Sequence, residues 1–396
     1  DAIYKDGLKI YTTLDMDAQN AAVAAMQNLP DFYTDKNGLH QPQGAIVAMN
    51  PHNGYIVAMV GGRGDDAFNR ATQAERQPGS TMKPFVYLAA IQSGKTPGSI
   101  VEDSPVSFGS WSPKNYENDY EGSITYRYAL QHSRNVAAVK IADEVGMTKV
   151  IKLAKEMGIS TLTDQDYNLS TALGGLTHGV TPLEMVQAYG VLANGGIKVQ
   201  PTAILKIVDR NGQVVEEHSI QEKRVVDEKD AAIITNMLES VINGGTGGNA
   251  AIGRPAAGKT GTTDDSKDAW FVGYTPDLVA AVWIGDDYGS ETLRGITGGN
   301  TPAIMWGQFM ANALANTPAS DFPVPSSAQS AIAEGYFNPV KVQPKKGDKK
   351  DEKADKKDDK DKQKDEKVKE EDQSSKEEVS EPKSNSSKNK KSKKDR

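Results

Sequence analysis

Apolar and polar positions alternate over Leu8-Lys9-Ile10-Tyr11-Thr12-Thr13, which predicts a short strand, and the alanine-rich stretch from Gln19 to Gln27 predicts a helix behind it. Two near-continuous apolar runs follow, Ala45-Ile46-Val47-Ala48-Met49 and Tyr55-Ile56-Val57-Ala58-Met59-Val60. The residues Asn50-Pro51-His52-Asn53-Gly54 between them predict a β-hairpin. Strands this apolar on both sides imply a sheet covered on both faces. Helical spacing runs through 80–92 and 136–157, and another helix is expected from Thr181-Pro182, since proline suits a first turn. Val199 to Val215 read as a short strand pair around Asp209-Arg210-Asn211-Gly212. Strands return at Trp270 to Tyr274 and Leu278 to Ile284, and a last helix fits Pro302 to Leu314. Strand pairs at both ends of a long helical middle predict an α+β fold: one antiparallel sheet assembled from distant segments, flanked by helices, with a mostly helical lobe.

Charge divides the chain. From Lys345 to Arg396 there are 20 basic and 16 acidic residues, and Ala354, Val368 and Val379 are the apolar ones. Such a tail cannot bury enough surface to offset ordering entropy and is expected to be a disordered polyampholyte. Its last 24 residues, 8 basic against 4 acidic, are expected to contact anionic wall polymers. Residues 1–344 carry 26 basic and 37 acidic residues, so the folded part is acidic, which argues against nucleic-acid binding. The absence of cysteine excludes disulfides, thiolate zinc sites and a cysteine nucleophile. No apolar run reaches the roughly 18 residues of a membrane span, and the start at Asp1 reads as a piece of a longer protein.

Three short motifs carry possible chemistry. In Gly79-Ser80-Thr81-Met82-Lys83-Pro84-Phe85, Ser80 and Lys83 stand three apart, so at a helix start hydroxyl and amine share a face. An N-cap serine with a surface lysine gives the same letters. In Ser133-Arg134-Asn135, an extended turn would send Ser133 and Asn135 the same way, although capping of the next helix also accounts for them. The third, Gly258-Lys259-Thr260-Gly261-Thr262-Thr263, supports two readings. From Gly253 it formally matches a Gly-x-x-x-x-Gly-Lys-Thr phosphate loop, but glycine-rich residues precede it and poor helix formers follow, where that loop needs a strand and a helix. Alternatively it is a cleft-lining strand, with Lys259 and Gly261 on one face and Thr260 and Thr262 on the other. Gly261 would then admit a ligand to the backbone, and Lys259 with the threonines would receive a carboxylate. Gly62-Arg63-Gly64-Asp65-Asp66-Ala67 follows a hairpin rather than opening a βαβ helix, and its aspartates would repel a pyrophosphate. Histidines 40, 52, 132, 178 and 218 show neither triad partners nor metal spacing, so no metal or cofactor is expected.

Ser-x-x-Lys, Ser-x-Asn and Lys-Thr-Gly in this order form the signature of penicillin-binding proteins and serine β-lactamases. From about Gly7 to Ala315 the chain resembles the transpeptidase module of a bifunctional class A penicillin-binding protein. The likeness includes Arg76 to Phe85, Leu173-Gly174-Gly175, Gly179-Val180-Thr181-Pro182, Tyr189, Ala193-Asn194-Gly195-Gly196, Gly258 to Thr263 and Trp270 to Pro276. The segment Ile10 to Asp15 looks like the linker after a glycosyltransferase module. The resemblance implies residues 1–40 as linker region, 41–320 as transpeptidase domain, 321–344 as C-terminal linker and 345–396 as tail. It implies that Ser80 attacks the penultimate D-alanine carbonyl of a peptidoglycan stem peptide, with Lys83 as base, kept neutral by burial and by Lys259. Ser133 relays the proton, Asn135 holds the substrate amide, and the N–H groups of Ser80 and Thr262 form the oxyanion hole. Lys259, Thr260, Gly261 and Thr262 receive the terminal carboxylate, and β-lactams acylate Ser80. Expected partners are stem peptides, β-lactams and cell-wall synthesis, division or elongation proteins, at the outer face of a bacterial membrane that anchors the parent. The triplet has Arg134 where β-lactamases of this signature carry aspartate, which weakens a β-lactamase reading more than a transpeptidase one. A β-lactamase, for which Glu184 and the acids at 264–268 are candidate bases, a non-catalytic penicillin sensor and a phosphate-loop protein are the alternatives.

Overall fold

The computed structural model describes residues 7–263, 265–289 and 291–334; the charged tail therefore lies outside the described residues. Strand β1 (Lys9–Thr12) is followed by helix α1 (Met16–Met26), and strands β2 (Gln43–Met49) and β3 (Ile56–Val60) form the expected hairpin. The helical middle holds α2 (Lys83–Gln92), α3 (Asn135–Val145), α4 (Met147–Met157) and α5 (Pro182–Ala193). Strands β4 (Ile204–Val208) and β5 (Val214–Glu217) precede the long helix α6 (Glu228–Gly244). Strands β6 (Ala257–Thr262), β7 (Asp268–Tyr274) and β8 (Val279–Gly285) and helices α7 (Thr301–Ala313) and α8 (Ser326–Glu334) complete the fold.

The central sheet is antiparallel in the order β6-β7-β8-β2-β3, so the N-terminal hairpin meets the C-terminal strands at the β8–β2 pair. Its side chains divide by period two. Ala45, Val47 and Met49 join Val279, Ala281, Trp283, Trp270 and Val272 in one core with α2 to α6. Ile46 and Ala48 join Ala280, Val282, Ile284 and Phe271 in a second core under α1 and α7. A one-residue slip would exchange the two sets, which pins the register. Trp306 of α7 donates from Nε1 to Ala280 O at 3.1 Å, so this large ring is buried with its polar atom satisfied. Helix α2 runs through the other core with every residue from Lys83 to Ile91 buried.

Two expectations need correction. The helical run 136–157 is two helices, because Gly146 takes φ +89° and ends the first. Helix α6 was not expected at all, yet Ala231, Ile234, Leu238 and Val241 give it a buried face against α2 and β6. Strand β1 pairs with β4, which also pairs with β5, in a separate three-stranded sheet.

One ion pair between a buried arginine and half-buried carboxylates ties the hairpin side of the sheet to the end of β8. Arg70, 1% exposed, donates Nε and Nη2 to the two oxygens of Asp287 at 2.6 and 2.5 Å and also binds both oxygens of Asp66. Those carboxylates hold the guanidinium charged against its burial. Removing one partner strands the other charges. Arg70→Ala is expected to lower the unfolding free energy by about 2–3 kcal/mol in denaturant titration, less than for a fully buried pair because water reaches both carboxylates. A loss below about 1 kcal/mol would mean that water replaces the arginine without penalty.

Candidate active site

Ser80 sits half-buried on the 3-10 turn Gly79–Met82, and its carbonyl accepts the N–H of Lys83, the first residue of α2. Pro84 falls in the helix's first turn, where a missing N–H costs little. The approach to this turn is held from two sides. Trp270 of β7 donates Nε1 to Gln77 O at 2.9 Å, while Gln77 exchanges side-chain bonds with the backbone of Leu176. Gly79 takes φ +55°, and a Cβ there would lie 2.7 Å from Thr262 O. Gly261 is equally constrained: its Cβ would meet Pro78 O at 2.5 Å. The nucleophile turn therefore lies directly against the backbone of β6. From the other side Tyr189 of α5 donates its hydroxyl to Thr81 O at 2.8 Å.

Lys83 points away from solvent, fully buried, toward the turn before α3. Its Nζ lies 2.5 Å from Ser133 O, 2.6 Å from Asn135 Oδ1 and 3.1 Å from Ser133 Oγ. The Ser133–Asn135 segment is not the extended turn expected from spacing. Ser133 adopts φ +55°, Arg134 is extended, and Asn135 already opens α3. The left-handed serine turns its carbonyl and hydroxyl together onto Lys83, which an extended serine would not do. Such a conformation costs a non-glycine residue of order 1 kcal/mol and persists only when its surroundings enforce it.

Lys259 reaches the same hydroxyl from β6. Its Nζ lies 2.9 Å from Ser133 Oγ, 3.0 Å from Thr260 O and 3.2 Å from Thr260 Oγ1. Complete burial depresses its pKa to about 7. The strand places Lys259 and Gly261 on the face toward Ser133 and Pro78, and Thr260 and Thr262 on the cleft face. Thr260 Oγ1 is 2.8 Å from Thr246 Oγ1, and Thr262 Oγ1 accepts from Gly298 N at 3.0 Å.

These groups surround a cavity of about 510 Å³ walled by Ser80, Ser133, Asn135, Thr260 and Thr262. Lys83 and Lys259 stand behind the wall, each with its Nζ within hydrogen-bond distance of Ser133 Oγ. Sequence spacing did not single out the other residues that line the cavity, among them Tyr116, Glu117, Glu121, Tyr128, His132, Thr246, Thr297, Gly299 and Asn300. His132 stacks on Tyr128 with ring centroids 4.2 Å apart. Burial holds its pKa below the ordinary value, against the pull of Glu121 and with the help of Arg134.

The alternative placements of chemistry resolve in the same geometry. Gly258-Lys259-Thr260 lies inside an antiparallel strand that leads to β7, not between a strand and a helix N-terminus, so a phosphate loop does not form. Glu184 is a capping residue: it accepts from Thr181 N, Ser160 N and Thr161 N and does not line the cavity. Asp268 is held by Arg76 and by Trp283 Nε1, and Asp265 by Lys267, while Asp264 lies outside the described residues.

Comparison with known proteins agrees with this geometry. A family model described as the penicillin binding protein transpeptidase domain matches residues 44–292. The chain is 38% identical to penicillin-binding protein 1A of Rickettsia conorii over 316 residues, covering 72% of this chain and 40% of that protein. It is 39% identical to penicillin-binding protein 1A of Aquifex aeolicus over 292 residues, with the same two coverages. It thus spans about 40% of the length of these curated relatives. Among solved structures, the penicillin V complex of the PonA1 protein from Mycobacterium tuberculosis superposes with a TM-score of 0.74 at 30% identity, over 85% of this chain and 92% of that one. Penicillin-binding protein 1A from Haemophilus influenzae gives 0.73 at 25% identity, over 81% and 68%. With the motifs, the fold and the family match coinciding on the same residues, the chain belongs to the penicillin-binding protein transpeptidase domain family.

Proposed function

We propose that this chain is a D,D-transpeptidase that crosslinks peptidoglycan stem peptides through an acyl-enzyme on Ser80 and is acylated there by penicillin. The observation that carries the reading is that Lys83 and Lys259, from two remote segments, both reach the Ser133 hydroxyl, which lines one cavity with Ser80 and Asn135. Ser80 Oγ attacks the penultimate D-alanine carbonyl and gives its proton to Lys83. Two of the bonds from Lys83 Nζ run to oxygens that can only accept, Ser133 O and Asn135 Oδ1. A neutral amine has two N–H groups for these and one lone pair for a hydroxyl proton. The backbone N–H groups of Ser80 and Thr262 stabilise the oxyanion, and Thr260 and Thr262 receive the terminal carboxylate.

As the C–N bond to the terminal D-alanine breaks, Ser133 passes a proton to the departing nitrogen. Lys259 suits the other end of this relay, because a group titrating near neutrality both holds and releases a proton at working pH. An acceptor amine then attacks the ester carbonyl and passes a proton through Ser133 toward Lys259; the new C–N bond forms as the bond to Ser80 Oγ breaks, and Lys83 returns to that oxygen the proton it took. Water in place of that amine gives carboxypeptidase activity on the same site. The chain matches 40% of the length of its curated relatives, and the reading extends to a longer, bifunctional parent with a glycosyltransferase module, anchored on the outer face of a bacterial membrane and working with other cell-wall synthesis proteins. No described helix is long and apolar enough to cross a membrane.

Mass spectrometry of the chain with penicillin is expected to show a one-to-one adduct on Ser80 that persists for hours and is missing in Ser80→Ala. Rapid turnover of the drug would favour a β-lactamase. A stable adduct without transfer of a stem-peptide donor to an amine would favour a sensor. Lys259 makes a separate prediction. The unfolded chain keeps this proton up to its ordinary pKa of 10.5, whereas the folded chain keeps it to about 7, so stability rises with pH across that window. Lys259→Met is expected to remove this rise, changing the gap in unfolding free energy between parent and variant by on the order of 2 kcal/mol from pH 7 to 9. An unchanged gap would contradict the depressed pKa.

A further inference from the structure

We propose that Arg134 and Asp103 are a positioning pair that sets the Ser133 turn for proton transfer; this rests on the catalytic reading above. Arg134 lies between Ser133 and Asn135, and its side chain turns inward, 8% exposed. Its Nε and Nη2 both lie 2.8 Å from Asp103 Oδ2, and Nη1 donates to Asp119 Oδ1 at 3.0 Å. Asp103 has no exposed surface. It also accepts from Asn115 Nδ2 at 2.8 Å and from Glu121 N at 3.1 Å. Asn115 in turn accepts the N–H of Val136 at 3.1 Å, in the first turn of α3. One buried carboxylate therefore fixes the residue after Ser133, the start of the helix that carries Asn135, and the segment 103–121 that forms a rim of the cavity.

This arrangement answers what enforces the left-handed conformation of Ser133. Nothing in the preference of a serine favours φ +55°, and a single residue so placed relaxes when its neighbour is free to move. A planar guanidinium held at two nitrogens by a buried carboxylate leaves Arg134 one orientation. The Ser133 carbonyl and hydroxyl then stay on the two lysine amines. The pair also gives a reason for the departure of the triplet from Ser-Asp-Asn: an aspartate at 134 would set one carboxylate against another, buried one. Arg134 acts through Ser133 and takes no proton itself.

The test is the acylation rate of Ser80 by a fluorescent penicillin in the whole chain, between pH 6 and 9, with melting temperatures recorded alongside. Arg134→Lys keeps the charge but loses the fork, and Asp103→Asn keeps the shape but loses the charge. Both are expected to acylate about ten- to a hundredfold more slowly, the scale of cost of a 1 Å misplacement of catalytic groups. The inflection of the rate near neutral pH is expected to shift, because Ser133 Oγ no longer bridges both amines. Folded variants whose rates stay within threefold of the parent, with an unmoved inflection, would overturn the proposal and leave the pair a purely structural contact. Should Asp103→Asn fail to fold, Arg134→Lys decides on the same two readings. Failure of the parent itself to acylate would strike the catalytic reading, not this pair.

Discussion

A buried lysine amine has to be given oxygen atoms, and here two lysine amines are given the same one, the hydroxyl of Ser133. Moving an ammonium out of water is costly unless hydrogen bonds or loss of the proton compensate. Lys83 receives a carbonyl and an amide oxygen besides the hydroxyl, and Lys259 receives both oxygens of Thr260. The partners come from α2, from the turn before α3 and from β6, so the fold must bring all three together before either amine can be buried. The sheet supplies this by joining the N-terminal hairpin to β8 and leaving β6 as the edge that faces the helical lobe.

The nucleophile is held less by its own side chain than by its neighbours' backbones. Gly79 and Gly261 let the Ser80 turn lie against β6, and the indole N–H of Trp270 fixes the residue two before Gly79. Trp283, beside Trp270 in the same core, carries Arg76 over its ring at 4.9 Å and donates to Asp268. The same core that stabilises the sheet therefore also aims the turn. Its rigidity suits a reaction whose oxyanion donors have to be in place before charge develops.

Much of the fold was legible in the chain. The hairpin at 45–60, the strands around 270–284 and the helix from Pro302 showed because their apolar runs are long and bounded by turn residues. Helix α6 was not legible although Ala231, Ile234, Leu238 and Val241 keep helical spacing, since it lies between a polar strand pair and a glycine-rich segment and no long apolar run marks it. The break at Gly146 and the left-handed Ser133 depend on backbone angles that residue type alone does not announce. The three motifs named Ser80, Lys83, Ser133, Asn135 and Lys259; the fold brings Ser80, Ser133 and Asn135 to one cavity wall and sets the two lysine amines behind it on the Ser133 hydroxyl. The rim residues Tyr116, Glu117 and Glu121 were not readable, because the segment that carries them is placed by one arginine's contacts with Asp103 and Asp119.

The shared hydroxyl is the centre of this account, and Ser133→Ala removes that oxygen while leaving the backbone carbonyl in place on Lys83. The decisive measurement is the pH dependence of the penicillin acylation rate at Ser80 in that variant. The account predicts a fall of about 10²- to 10⁴-fold, the range for a lost proton-transfer group, with the inflection near neutrality abolished because Lys259 is disconnected from the reaction. A rate and an inflection equal to those of the parent would show that the departing nitrogen receives its proton without Ser133, contradicting the role assigned to the hydroxyl.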